Sequence, residues 1–140
     1  YWKVELGATV KKFSLGGGCE VLGSDNSQGF RTPLATLHAF NGWADVFLNT
    51  PAKGLQDIYG FAQYTLPWQV PLRLVYHKFD AGSGGGDFGQ EFEVQLARKL
   101  GKNWTALAKY AYYDGKEAAP PSFAAPIDVQ KFWLQMEFNY

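Results

Sequence analysis

Val129-Gln-Lys-Phe-Trp-Leu-Gln-Met-Glu-Phe-Asn-Tyr140 is the stretch on which the fold turns. Phe132, Leu134, Met136, Phe138 and Tyr140 take alternate positions, and Lys131, Gln135, Glu137 and Asn139 take those between, interrupted only by Trp133. A period of two over such a length belongs to a β-strand with one apolar and one polar side. A strand of an outer-membrane β-barrel needs about 9–11 residues to cross the bilayer, and a terminal aromatic suits it. A surface strand of a soluble β-sandwich carries the same alternation, so this strand does not decide alone.

The same period recurs upstream. Trp2, Val4, Leu6, Ala8 and Val10 oppose Lys3, Glu5, Gly7, Thr9 and Lys11, and beyond a turn at Lys11-Lys12 the residues Phe13, Leu15, Gly17, Cys19 and Val21 share a face. Three successive glycines, Gly16 to Gly18, mark a bulge or a close approach of something to the sheet. Ile58–Leu66 reads as a strand of open parity, and Pro67-Trp-Gln-Val-Pro71 connects it to Leu72–Phe79, where Leu72, Leu74 and Tyr76 oppose Arg73, Val75 and His77. In Glu91–Leu100, Phe92, Val94, Leu96 and Leu100 oppose Glu91, Glu93, Gln95 and Lys99. Gly101-Lys-Asn103 then turns into Trp104–Asp114, with Ala106, Ala108, Tyr110 and Tyr112 opposite Thr105, Leu107, Lys109 and Tyr113.

Seven strands result, and their connections alternate in length. Those near 11–12, 67–71 and 101–103 are short; those near 23–57, 80–90 and 115–128 are long and rich in Gly, Pro, Ser and Asp. Short periplasmic turns and long extracellular loops are the habit of outer-membrane barrels. The fold class expected is therefore all-β, an antiparallel up-and-down transmembrane barrel. Seven strands fall short of the eight of the smallest barrels, and an open sheet would present unpaired edges to lipid. The expectation is thus that residues 1–140 are the C-terminal part of one larger barrel domain.

Composition agrees and excludes other classes. Thirteen basic side chains balance thirteen acidic ones, which gives no reason to expect a nucleic-acid partner. With a single cysteine there is neither an internal disulfide nor a cysteine metal cluster. No apolar run is long enough for a transmembrane helix, while 24 aromatics (5 Trp, 8 Tyr, 11 Phe) would supply interfacial belts or sugar-stacking platforms. Trp68, Trp104, Phe138 and Tyr140 fall at the short-turn ends and Tyr76, Tyr112 and Phe132 nearer the long loops. Trp133 and Phe79 fall on the polar side.

On the barrel reading the polar face lines a lumen: Lys3, Glu5, Lys11, Glu20, Arg73, His77, Glu91, Glu93, Gln95, Lys99, Lys109, Lys131, Gln135 and Glu137. Such a mixed wall suits a hydrated passage for polar solutes with weak ion selectivity; in a narrow or plugged barrel the same charges would pair with one another. Catalytic patterns are missing. Gly82-Ser-Gly-Gly-Gly-Asp87 joins strand to strand without the helix a phosphate loop needs. Asp80 and Asp87 are candidates for a rim Ca²⁺ but match no Ca²⁺ motif. His38 and His77 belong to no HExxH pattern, Ser14 and Ser24 lie near no histidine, and there is no GxSxG. No enzyme, metal or cofactor is expected. The alternatives are a soluble carbohydrate-binding β-protein and a plugged or enzymatic outer-membrane barrel.

Three strings carry a family likeness. Pro33-Leu-Ala-Thr-Leu-His-Ala-Phe-Asn-Gly-Trp-Ala-Asp45 with Thr50-Pro-Ala-Lys-Gly-Leu-Gln-Asp57, Val75-Tyr-His-Lys-Phe-Asp80 with Gly84-Gly-Gly-Asp-Phe-Gly89, and Lys131-Phe-Trp-Leu-Gln-Met-Glu137 resemble segments of the alginate-export family of proteobacterial outer-membrane proteins. The resemblance implies a monomeric, many-stranded porin-like barrel in the outer membrane of a Gram-negative bacterium, passing small polar solutes or oligosaccharides, sugar-like or anionic. Characterised members have an arginine-rich lumen, whereas Arg73 is the one arginine placed on this polar face. Leu134, Met136, Phe138 and Tyr140 resemble the C-terminal signal read by the barrel-assembly machinery, which adds that machinery and outer-membrane lipid as expected partners.

Overall fold

The computed structural model describes residues 1–25, 28–31, 41–116 and 127–140. His38, most of the Pro33–Asp45 string and most of the connection at 115–128 lie outside the described residues. The chain forms β1 (Trp2–Val10), β2 (Phe13–Leu22), the short β3 (Ser24–Asp25) and β4 (Gln28–Gly29), then β5 (Leu55–Leu66), β6 (Val70–Asp80), β7 (Asp87–Leu100), β8 (Trp104–Gly115) and β9 (Asp128–Phe138). Seven of these make one antiparallel sheet in the order β1-β2-β5-β6-β7-β8-β9, and β3 and β4 pair separately. The fold is thus all-β and up-and-down, each strand of the large sheet lying beside its neighbour in sequence. The sheet is open, with β1 and β9 at its edges.

Register fixes the faces. Across the sheet, Lys3, Glu20, Asp57 and Phe79 form one rung, followed by Glu5, Gly18, Tyr59, His77, Glu91 and Tyr113. Below them come Gly7, Gly16, Phe61, Val75, Glu93, Ala111 and Lys131, then Thr9, Ser14, Gln63, Arg73, Gln95, Lys109 and Trp133. The parity of β5, open in the sequence, is settled by these pairings: Asp57, Tyr59, Phe61 and Gln63 join the polar face.

The opposite face is apolar and uncovered in every strand. Leu6 is 78% exposed, Phe132 68% and Leu134 75%, and Val4, Leu15, Ile58, Tyr76, Phe92, Leu96 and Met136 are exposed as well. Burial lies on the other side, at the long-connection end, where Leu22, Ala44, Val46, Phe47, Leu55, Phe79, Phe88, Ala111 and Tyr113 pack together. Lone exposed apolar residues are ordinary, but a contiguous apolar wall is not a surface that water tolerates.

Several boundaries differ from the sequence reading. Leu55–Asp57 belong to β5 and not to the preceding loop, and β7 starts at Asp87, which leaves residues 81–86 as its connection from β6. The register between β6 and β7 shifts at Phe79/Asp80, so Phe88 becomes an extra residue that turns into the core beside Gly89, whose φ of 129° suits glycine. Lys11 sits in the β1–β2 turn at φ 56°, exposed, and takes no place on the polar face.

The glycine run is no bulge, because Gly16, Gly17 and Gly18 pair regularly with Phe61, Gly60 and Tyr59. The close approach is present instead: a Cβ at Gly16 would lie 2.4 Å from Phe61 Cζ and 2.7 Å from the Leu6 carbonyl oxygen, and one at Gly18 2.6 Å from the Val4 carbonyl oxygen. The Tyr59 and Phe61 rings lie over the bare backbone of β2, as aromatic rings do when they cover strand glycines. Gly16→Ala is therefore expected to lower stability by about 1–3 kcal/mol through overpacking, whereas Gly84→Ala, where a Cβ meets nothing within 4 Å, should cost only what its φ of 72° imposes. Chemical-denaturation midpoints of the two variants check the contrast.

Candidate functional site

The polar face concentrates titratable groups where one strand's side chains meet the next strand's on alternate rungs. His77 of β6 places Nδ1 2.8 Å from Asp57 Oδ1 and 3.0 Å from Oδ2, while its Nε2 stands 3.7 Å from Glu93 Oε2. All three residues are buried, as are Glu20 and Glu91. His77 is stacked on Phe79, ring centroids 5.4 Å apart, and leans against Tyr59 at the same separation. Asp57, His77 and Glu93 thus form a chain of acid, imidazole and acid across β5, β6 and β7.

A segment of the connection between β4 and β5 covers this cluster. Asn41, Gly42 and Asp45 adopt left-handed φ values of 55°, 89° and 58°, and the resulting bends aim backbone N–H groups at the sheet. Trp43 N–H donates to Glu93 Oε1 at 2.7 Å, and Ala44 N–H donates to Glu91 Oε1 at 2.7 Å. Gly42 allows the approach, since a Cβ there would fall 2.4 Å from Glu91 Oε2. Backbone donors of this kind satisfy buried acceptor oxygens. They hold two carboxylates, each only 1% exposed, that would otherwise be costly to bury.

Side chains complete the seal. Asp45 Oδ2 accepts from Lys131 Nζ at 2.9 Å, and Lys109 Nζ lies 4.6 Å from the Trp43 ring. Phe47 packs at 4.5 Å on Phe79 and 5.9 Å on both Phe88 and Tyr113, and Tyr113 Oη donates to the Phe88 carbonyl. Residues 41–47 therefore reach across β6, β7, β8 and β9. Two buried atoms, Asn41 Nδ2 and Glu91 Oε2, have no hydrogen-bond partner among the described residues.

The rest of the polar face is open or half-open. Lys3 stands 3.8 Å from Glu5 and 4.0 Å from Glu20, and its ammonium lies 5.4 Å from the Tyr59 ring, whose hydroxyl donates to Glu5. Arg73 stacks 4.4 Å above Phe61, and Gln95 and Lys109 continue its rung. Lys99, Gln135 and Glu137 are exposed nearer the short turns. The acids Glu20, Asp57, Glu91 and Glu93 are buried toward the long connections, while Arg73 and Lys109 are partly accessible below and Lys99, Glu137 and, on the edge strand, Glu5 are exposed.

Of the fourteen residues predicted for this face, thirteen share it and Lys11 does not. Four of the thirteen, Glu20, His77, Glu91 and Glu93, are buried. Sequence reasoning missed Asp57, Tyr59, Trp43 and Asp45. The signals available were the period-two continuation of β5 back to Asp57 and the apolar content of Trp43-Ala-Asp-Val-Phe47, unusual for a solvated loop. Asp80 and Asp87 converge, but Lys78 Nζ is what they hold, 3.4 Å from Asp80 and bonded to Asp87. An ammonium thus occupies the place considered for Ca²⁺, and among the described residues no three His, Cys, Asp or Glu side chains are arranged so that they could hold a metal ion.

No helix among the described residues is long and apolar enough to cross a membrane. No protein-family model, curated protein or solved structure matches the chain.

Proposed function

We propose that this chain is part of the wall of a Gram-negative outer-membrane β-barrel channel, with the apolar face against lipid and the polar face around an aqueous path for polar, sugar-like or anionic solutes. The observation that carries the reading is the inversion of the two faces. Side chains that water rejects are exposed along all seven long strands, and side chains that water favours are buried behind them. Lipid on the first face and a closed barrel around the second resolve both. The open edges β1 and β9 then pair with further strands of the same barrel, since lipid does not tolerate unpaired backbone. The resemblance to the alginate-export family points the same way. The short turns face the periplasm and the long connections the exterior, with Leu134, Met136, Phe138 and Tyr140 available to the assembly machinery.

Segment 41–54 is the constriction of this channel. A solute approaching from the short-turn side meets Lys99 and Glu137 on one rung and then Arg73 and Lys109 before it meets the covered acids, so cations outnumber acids on that approach. Transport is passive: the lined path lowers the barrier that hydrocarbon presents to a polar molecule. The burial of Glu91 and Glu93 favours a second reading, in which the segment closes the lumen altogether.

Single-channel recording of the protein in a planar bilayer under a salt gradient separates the two. The channel reading expects steady conductance and a reversal potential on the anion side, moved toward zero in Arg73→Gln/Lys109→Gln. Silence from folded, inserted protein would end the channel reading and leave the plugged barrel. The wall assignment has its own check. Leu96→Arg should cost about 2–4 kcal/mol in lipid and Gln95→Arg much less, and equal losses in a reversible unfolding assay from vesicles would overturn it.

A further inference from the structure

Near the short-turn end of the apolar face, the small side chains of Ala106 and Ala108 leave a hollow between bulkier neighbours. Leu96, Leu134, Val70 and Trp68 wall it, and its volume is about 550 Å³. That volume falls within the ~300–1,000 Å³ typical of small-molecule sites. Its lining surface is almost wholly apolar, and Arg98 is the one charged residue in it.

Arg98 is the anomaly of this face. Elsewhere among the described residues, charged side chains on the apolar face stand at the long-connection end, and each has a partner. Lys78 holds Asp80 and Asp87, Asp114 holds Lys116 at 2.8 Å, and Asp128 accepts from the Gly115 N–H. Arg98 lies on the rung of Ala106 and Met136, one rung inside Leu100, Trp104 and Phe138, and has no ion-pair, hydrogen-bond or ring partner among the described residues. Two residues along a strand span about 6.6 Å, so the guanidinium lies within a side chain's length of the interface marked by the Trp104–Phe138 ring pair, whose centroids are 4.8 Å apart.

We propose that this hollow binds one phospholipid of the adjacent leaflet, with an acyl chain along Ala106 and Ala108 and the phosphate on Arg98. The inference rests on the membrane reading above. A planar guanidinium with five donors suits a phosphate, and lipid supplies that phosphate at the depth Arg98 reaches. Leucine in place of either alanine would have made the wall smooth. The hollow and the charge are adjacent, and a two-part amphiphile is the ligand that uses both.

The test is a titration of the full protein, folded in uncharged maltoside micelles, with a brominated phosphatidylglycerol and separately with a brominated diacylglycerol. The readout is the tryptophan fluorescence lost in Trp68→Phe, which isolates the reporter on the hollow. The expected result is saturable quenching of Trp68, with half-saturation about tenfold lower for the phospholipid, the equivalent of one charge-assisted hydrogen bond. Arg98→Gln should abolish that tenfold difference, and Ala108→Leu should weaken binding of both lipids. Quenching that rises without saturation and is unchanged in Arg98→Gln would mean ordinary annular lipid and would overturn the site. A lipid-independent dimer seated on this face would overturn it too. Absence of quenching at every exposed tryptophan, Trp2 and Trp104 included, would overturn the membrane reading along with the site.

Discussion

Asp57→Ala is expected to destabilise the protein by about 3–5 kcal/mol, the loss typical when one partner of a buried charged pair is removed. Asp57 is 1% exposed and accepts the His77 Nδ1 contact at 2.8 Å, and no other acceptor reaches that nitrogen. Its removal leaves the imidazole facing Glu93 alone, with Glu20 the nearest acid on Asp57's own rung. Asp57→Asn keeps an acceptor at the same place and should recover much of the loss, because an unsatisfied buried group is what costs most. Denaturation midpoints order the three proteins as native, Asn, Ala. An Ala variant as stable as the native chain would show that the acid–imidazole–acid chain contributes nothing.

The second large effect is expected at Phe47→Ala. Its ring contacts Phe79, Phe88 and Tyr113 and is 6% exposed, so truncation removes the main apolar anchor of segment 41–54. Phe→Ala in a packed core costs about 3–5 kcal/mol. Here most of that should appear as release of the segment and little as loss of the sheet, since β5 to β9 pair without any contribution from Phe47. The checks are three: strand content by infrared absorption unchanged, protease cleavage within 41–54 accelerated, and single-channel conductance increased. Accelerated cleavage with conductance unchanged would mean the segment covers the polar face without narrowing the path.

The faces of the sheet were legible because alternation is a local property. A side chain's face depends only on its parity, so Lys3 and Glu93 could be placed on the same side without knowledge of what lay between them. Parity failed where the backbone departs from period two. The extra residue at Phe88 shifts register, and nothing local distinguishes Asp87-Phe-Gly89 from a continuing loop. Segment 41–54 was illegible for a different reason. It has no period, and its position is set by carboxylates 47 to 50 residues distant, whose need for donors is visible only once β7 lies beneath it. The Gly16–Gly18 run was half legible: composition announced a close approach, and only the pairing with β5 identified Tyr59 and Phe61 as what approaches.

The neighbour-only order of the strands also has a consequence in time. Apart from the long connection between β2 and β5, each strand of the sheet pairs with the next in sequence, so the sheet can grow one hairpin after another with small loop-closure cost at most additions. Segment 41–54 follows a different schedule. Its bonds to Glu91, Glu93 and Lys131 span 47, 50 and 86 residues; the first two wait for β7 and the third for β9. Glu91 and Glu93 are therefore expected to face water after β7 has joined the sheet, until the segment docks and dries them.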